Sequence, residues 1–172
     1  GYKYSTLGSL TINAFDMEEP PAKEEILKEA SKRVEENDKL LRRGLITSDE
    51  KLNANIAIWN DVTMQIQDAV IEHLSDYNAL KMMVVSGARG TKVQLNSITG
   101  ICGLKASLSG KKIDVPVKSS YSKGLTPLEY FISSRGGRKT LADTATKTAD
   151  SGYLTRRLVD ISKDVVVNEE DC

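Results

Sequence analysis

Cysteine is nearly missing from this chain: two occur in 172 residues, Cys102 and Cys172. That excludes a small fold stapled by disulfides and suits a reducing, cytoplasmic setting. The single histidine, His73, has no second histidine with which to share a metal ion or a proton, so it reads as structural. No apolar run reaches membrane-spanning length and no secretory pattern opens the chain, so no membrane partner is expected. Neither sign of charge is in excess, with Lys+Arg and Asp+Glu at 24 each. No global field therefore draws the protein to a polyanion, and any nucleic-acid contact must come from local clustering. Internal repeats and low-complexity tracts are also missing, and the length allows one domain or two small ones. An opening Gly1 without methionine and a closing "NEEDC" are expected of a segment cut from a longer protein.

What is present is mainly α with minor β. Residues 1–19 alternate loosely and predict a strand or extended lead-in, ended by Pro20 and Pro21, which resist helix continuation. Residues 20–77 predict an antiparallel helical hairpin. Its first helix carries early glutamates, apolar Ile26, Ala30, Val34 and Leu41, late arginines and then Gly44, the charge order and stop signal of an amphipathic helix. Its second helix opens on a capping box, Thr47 with Glu50. Its seam is read as Leu52, Ile56, Trp59, Thr63, Ile66, Val70 and His73, the spacing of a coiled-coil face. Residues 78–124 predict a glycine-rich loop region with short helices and a β-hairpin turning near Ser109 and Gly110, with Ile113, Val115 and Val117 on one face. Thr126 and Pro127 then start one long helix, which no later proline interrupts. It spans 125–167, and residues 168–172 begin another segment.

The last helix has an unusual surface. On a wheel, Thr144, Thr148, Ser151 and Thr155 share a narrow sector beside Ala142, Ala145 and Ala149, a face that admits close approach to the backbone. Gly136, Gly137 and Gly152 weaken the helix by about 1 kcal/mol each relative to alanine, which marks bending or contact points. Arg135, Arg138, Lys139, Lys147, Arg156, Arg157 and Lys163 surround it, as a helix crossing a cleft beside a phosphate backbone requires. The plain alternative is tight helix packing with a solvated cationic face.

The phrases "SGARG", "GLTPLEYF", "LADTATKTADSGYLTRRLV" and "EEDC", in that order, resemble the largest catalytic subunit of the multisubunit DNA-directed RNA polymerases in its bacterial β′ form. The resemblance implies that the last helix is the bridge helix of the main cleft. Thr148 and Ala149 then lie against the templating base pair, Lys147 and Arg156 approach the template backbone, Tyr153 packs among them, and Gly136 and Gly152 act as hinges. It implies that Arg89 meets the triphosphate of the incoming nucleotide, a task suited to a bidentate guanidinium. It also implies that residues 90–104 form the F-loop and that the hairpin forms rim helices, where secondary-channel factors dock.

By the same resemblance, the partners are the β, α and ω subunits, template DNA and nucleoside triphosphates, in a cytoplasmic, nucleoid-associated enzyme. Cys172 matches a zinc ligand whose companions lie elsewhere in the full subunit. The magnesium-binding aspartates, in an "NADFDGD"-type motif, are absent here, so no catalytic residue and no cofactor is expected within this segment. Thr140 stands where the family has a glycine, and Asn96, Ser97 and Cys102 depart from the usual F-loop. A non-enzymatic helical module binding protein and nucleic acid is the alternative reading. A continued frame carrying the aspartate motif and further cysteines distinguishes the two.

Overall fold

A computed structural model describes residues 1–107 and 110–169. In chain order the helices are α1 (Tyr2–Gly8), a 3-10 turn (Ala14–Asp16), α2 (Lys23–Arg42), α3 (Ser48–His73), α4 (Ala79–Val85), α5 (Lys92–Thr99) and α6 (Pro127–Ser162).

The hairpin forms as expected, with α2 lying along α3. Gly44 adopts φ +72° just beyond α2, the left-handed turn that ends a helix cheaply only at glycine. Thr47 and Glu50 form the capping box: the Thr47 amide donates to Glu50 Oε2 at 2.8 Å and the Glu50 amide to Thr47 Oγ1 at 3.2 Å.

The face of α3 is broader than one seam. Trp59, Ile66 and Val70 are buried as expected, but so are Asn55, Ile58 and Val62, because α5 packs on α3 as well as α2. His73 sits at the edge of this face, 3.7 Å from Glu18. The main core joins these side chains to Ala30, Leu74, Leu80, Leu95 and Ile101. A smaller core of Cys102, Val117 and Ile132, flanked by Ile113 and Leu125, seats the start of α6 on the loop that follows α5.

Asn55 is the polar pin of the larger core. Asn37 Nδ2 donates to its Oδ1 at 3.0 Å, and its own Nδ2 donates to Asp114 Oδ1 at 3.2 Å. α2, α3 and the loop beyond α5 are thereby held in one register, and both hydrogen-bonding atoms of a buried amide are satisfied.

Two expectations are corrected. The N-terminal stretch is not extended at its start: α1 occupies it, wholly exposed and held by local bonds such as Thr6 Oγ1 to the Tyr2 carbonyl at 3.0 Å. The loose apolar alternation finds no strand to pair with, so local backbone bonding prevails. The β-hairpin is also not formed among the described residues. Two isolated antiparallel bridges stand in its place, Gly103 with Val117 and Ala106 with Lys112. Pro116 has no N–H to offer a ladder, and Val117 is fully buried while Val115 is 49% exposed, so the expected common face is broken. Ser109, the expected turn residue, and Cys172 lie outside the described residues.

Candidate nucleic-acid and nucleotide interface

α6 begins at a densely bonded corner. Thr126 caps it and Pro127 occupies its first turn. Glu129 Oε2 accepts from the Thr126 amide at 3.0 Å and the Thr126 hydroxyl at 2.9 Å. The same carboxylate reaches outside the helix, accepting the amides of Lys118 and Ser119 on Oε1 at 2.9 and 3.1 Å and the Ser119 hydroxyl on Oε2 at 2.8 Å. Burial opposes its ionisation, but the donated bonds from Thr126 and Ser119 outweigh burial and hold Glu129 at about 2, as expected for a carboxylate with several N–H donors.

Beside it, Glu19 is gripped in the same way. Lys23 Nζ stands 2.7 Å from Oε1 and Lys123 Nζ 2.8 Å from Oε2, and the Ser120 hydroxyl donates to Oε1 at 2.7 Å. Burial again works against the charge, and Lys123, Lys23 and Ser120 together bring Glu19 to about 2.

Beyond this corner α6 leaves the body. Ile132 is its one buried residue among those described, and every described residue from Thr140 to Glu169 is exposed. The expected contact residues Lys147, Thr148, Ala149, Tyr153 and Arg156 therefore all lie on a free helical arm. The 36 residues of α6 extend about 54 Å at roughly 1.5 Å per residue. Gly136 and Gly152 sit inside unbroken helix, and a side chain added at either would meet nothing within 4 Å.

The threonine face has a chemistry that the wheel did not reveal. Thr140, Thr144, Thr148 and Thr155 each donate the hydroxyl proton to the carbonyl four residues back, at 2.8–3.1 Å. The outward surface is thus methyl groups and acceptor oxygens. Arg157 lies over the Tyr153 ring at 4.5 Å, a cation–π pair one helical turn apart.

Arg89 is exposed on the loop between α4 and α5. That loop is shaped by a bond from the Arg89 amide to the Met83 carbonyl at 3.3 Å. Arg89 borders a cavity of about 500 Å³ lined chiefly by apolar side chains, among them Met83, Val84, Leu95 and Ile98. Among the described residues no carboxylate lies within ion-pair distance of its guanidinium. Arg89 and the α6 residues belong to separate elements, and α6 does not pack along α4 or α5 over an extended face.

The segment expected as an F-loop is built on α5. Thr91 and Gln94 cap it reciprocally, at 2.9 and 3.2 Å, a signature readable in "TKVQ" that the sequence analysis passed over. Asn96, one of the family departures, is buried, donating to the Thr63 carbonyl at 3.2 Å and accepting from the Ile101 amide at 3.4 Å. Gly100 is required beside it, since an added Cβ would collide with the Asn96 amide oxygen and stand 3.0 Å from Ile66 Cγ2. Cys102 is buried, and burial raises its thiol above the usual value. Among the described residues no group of three or more His, Cys, Asp or Glu side chains converges, and no helix is long and apolar enough to cross a membrane.

Comparison with known proteins decides the family. Residues 31–136, more than half of the chain, match the family described as RNA polymerase Rpb1, domain 4. The chain belongs to the RNA polymerase Rpb1 family. Residues 124–172 match RNA polymerase Rpb1, domain 5, so the whole of α6 lies in that second region. Over all 172 residues the chain is 50% identical to the DNA-directed RNA polymerase subunit beta′ of Clostridium acetobutylicum and 51% identical to those of Pelotomaculum thermopropionicum and Clostridium perfringens strain 13. It spans about 15% of the length of these curated relatives. The Rpb1 match covers the corner of Glu129 and the arm alike. Sequence reasoning named expected contact residues on the arm but missed Glu129 and Glu19 as anchors; in "TPLE" it read only Thr126 and Pro127, as a helix start.

Proposed function

We propose that the chain serves within the β′-type catalytic subunit of a bacterial DNA-directed RNA polymerase, a nucleotidyltransferase. α6 acts there as the bridge helix, α2 and α3 as rim helices, and the α5 region as the F-loop. The observation that carries this reading is the arm of α6: a helix of about 54 Å whose outer half is entirely exposed, on a chain about half identical throughout to named beta′ subunits. A helix that buries nothing of its own after Ile132 is suited to receive partners from outside.

In this role Thr148 and Ala149 lie against the templating base pair. Their small side chains let a planar base approach the helix, and with the Thr148 proton already given to the Thr144 carbonyl the face makes no strong bond that translocation must break. Lys147 and Arg156 face template phosphates, and such contacts fix position without reading sequence. Tyr153, stiffened by Arg157, packs beside them. Arg89, exposed and without an acidic partner among the described residues, neutralises the triphosphate of the incoming nucleotide. Gly136 and Gly152 take up bending. Thr140, where the family has glycine, adds a bond from its hydroxyl to the Gly136 carbonyl at 3.1 Å, which moves flexibility toward the neighbouring Gly136–Gly137 pair.

Magnesium supplies the Lewis acidity of nucleotidyl transfer in this family. The donor set described here does not fit a metal ion, so the ion and the bond-making step belong to other parts of the subunit. Assembly with β, α and ω subunits, docking of secondary-channel factors on α2 and α3, and a nucleoid-associated cytoplasmic location follow from the same reading.

The test is elongation by polymerase reassembled with full-length subunit carrying Thr148→Trp or Ala149→Leu. We expect a fall in rate of at least about tenfold, since displacing the reacting ends by ~1 Å costs on the order of 100-fold. Wild-type rates in both variants would overturn the assignment.

A further inference from the structure

Residues 117–124 form a loop that touches three parts of the molecule. Its backbone is laid on the end of α5, with the Tyr121 amide donating to the Ser97 carbonyl at 3.1 Å and the Ser122 amide to the Ile98 carbonyl at 3.0 Å. The Cys102 amide donates to the Ser119 carbonyl at 3.2 Å, joining the segment that follows α5. Two successive serines then hold two different carboxylates. Ser119 bonds Glu129 on α6 at 2.8 Å, and Ser120 bonds Glu19 before α2 at 2.7 Å.

A capping box needs one carboxylate oxygen turned back on its own helix. Glu129 exceeds that requirement, because three of its accepted bonds come from Lys118 and Ser119, outside α6. We propose that Glu129 is a positioning residue that sets the direction of α6 through Ser119, so that the loop on α5 aims the distant template-facing surface. This inference rests on the assignment of α6 as the template-facing helix.

Leverage makes the corner consequential. Thr148 lies 22 residues beyond the Thr126 cap, roughly 33 Å along the axis at 1.5 Å per residue. A tilt of about 2° at the corner moves Thr148 by ~1 Å, a displacement of the size that costs on the order of 100-fold in a reacting complex. Few other contacts restrain the tilt. Ile132 is the sole buried residue of α6 among those described, and the small core around it has only Cys102 and Val117 as fellow buried members. The carboxylate is held ionised by its donors, so its five accepted bonds persist at neutral pH.

The experiment uses polymerase assembled with full-length subunit carrying Ser119→Ala or Glu129→Ala. Ser119→Ala removes the hydroxyl tie and leaves the Thr126–Glu129 box intact. Three quantities are read: maximal elongation rate, nucleotide KM, and the translocation register of a stalled complex by exonuclease footprinting. We expect Ser119→Ala to lower the maximal rate several-fold and Glu129→Ala by about tenfold or more, scaled to the displacement above. Both should shift the register and leave nucleotide KM unchanged, and Glu129→Gln, which retains an acceptor oxygen, should recover part of the rate.

A double variant should be no slower than Glu129→Ala alone, because both changes remove one tie. Unchanged register in Ser119→Ala and Glu129→Ala, with only a lower thermal midpoint, would mean a purely structural role and would overturn the proposal. If Glu129→Ala does not assemble, Ser119→Ala decides by the same register measurement. Slow Thr148→Trp and Ala149→Leu enzymes beside normal Ser119 and Glu129 variants would refute the positioning role alone. Normal Thr148 and Ala149 variants would refute the template assignment on which it rests.

Discussion

Replacing Glu19 by glutamine keeps the shape of the side chain and one acceptor oxygen for Ser120 and Lys23, removes the charge that Lys23 and Lys123 share, and turns an amide donor toward Lys123. The carboxylate is held at about 2 against an ordinary 4.5. That difference sets a ceiling of ~3.4 kcal/mol, at roughly 1.4 kcal/mol per tenfold change in proton affinity. The Glu19 side chain is 16% exposed and that of Lys23 10%, but that of Lys123 is 72% exposed. Solvent screening of the Lys123 contact reduces the expectation to about 2 kcal/mol.

The sign is fixed by the direction of the change. A carboxylate with a lowered folded value stabilises fully above its unfolded value of 4.5, and this stabilisation is lost as pH falls through the folded value of about 2. Urea unfolding followed by the fluorescence of Trp59, the one tryptophan and a buried one, measures the gap between parent and Glu19→Gln. We expect about 2 kcal/mol at pH 7, narrowing between pH 4.5 and 2 as the parent side chain takes up its proton. A gap that stays constant from pH 7 to pH 2 would refute the reasoning, since the variant would then be acting through shape and not charge.

Gly100→Ala forces a methyl group toward Asn96 and Ile66 and should destabilise the chain by about 1–3 kcal/mol, as overpacking does; an unchanged urea midpoint would contradict the close approach. Ile66→Ala, at a side chain with no exposure, should cost about 2–5 kcal/mol with an unchanged urea m-value. Cys102 is buried and its thiol raised, so peptide mass mapping should find it alkylated only under conditions that unfold the core. Rapid alkylation of Cys102 in the native protein would disprove its seclusion.

Much of this fold is written locally. The capping box at Thr47 and the Thr126–Pro127 helix start each occupy a few neighbouring residues, and both appear where the sequence put them. Gly44 ended α2 for an equally local reason. Apart from the Thr91–Gln94 box, what escaped the sequence depends largely on partners distant in the chain. Asn55 lies outside the seam read from the sequence, and only the arrival of Asn37 and Asp114 makes it a buried pin. Ser119 and Ser120 carry no local signal, and their partners Glu129 and Glu19 lie 10 and 101 residues away. The β-hairpin was expected from alternation alone, whereas pairing needed a continuous ladder that Pro116 and the partly exposed Val115 do not support. At the candidate interface, residue types and their shared face were legible, while the direction of the threonine protons required coordinates.

The free arm of α6 also gives the molecule two clocks. Around Ile66 and Val70, where side chains are wholly enclosed, an amide can exchange with solvent only when the core opens, so its exchange reports global unfolding. From Thr140 to Ser162 every residue is exposed, and breaking one turn there uncovers no apolar surface that was not already wet. Opening in this stretch is governed by helix–coil equilibrium alone, with relaxation on the order of a microsecond or less. A partner that lies along the arm would slow its exchange without altering that of the core, and the size of the slowing would measure how tightly the partner holds it.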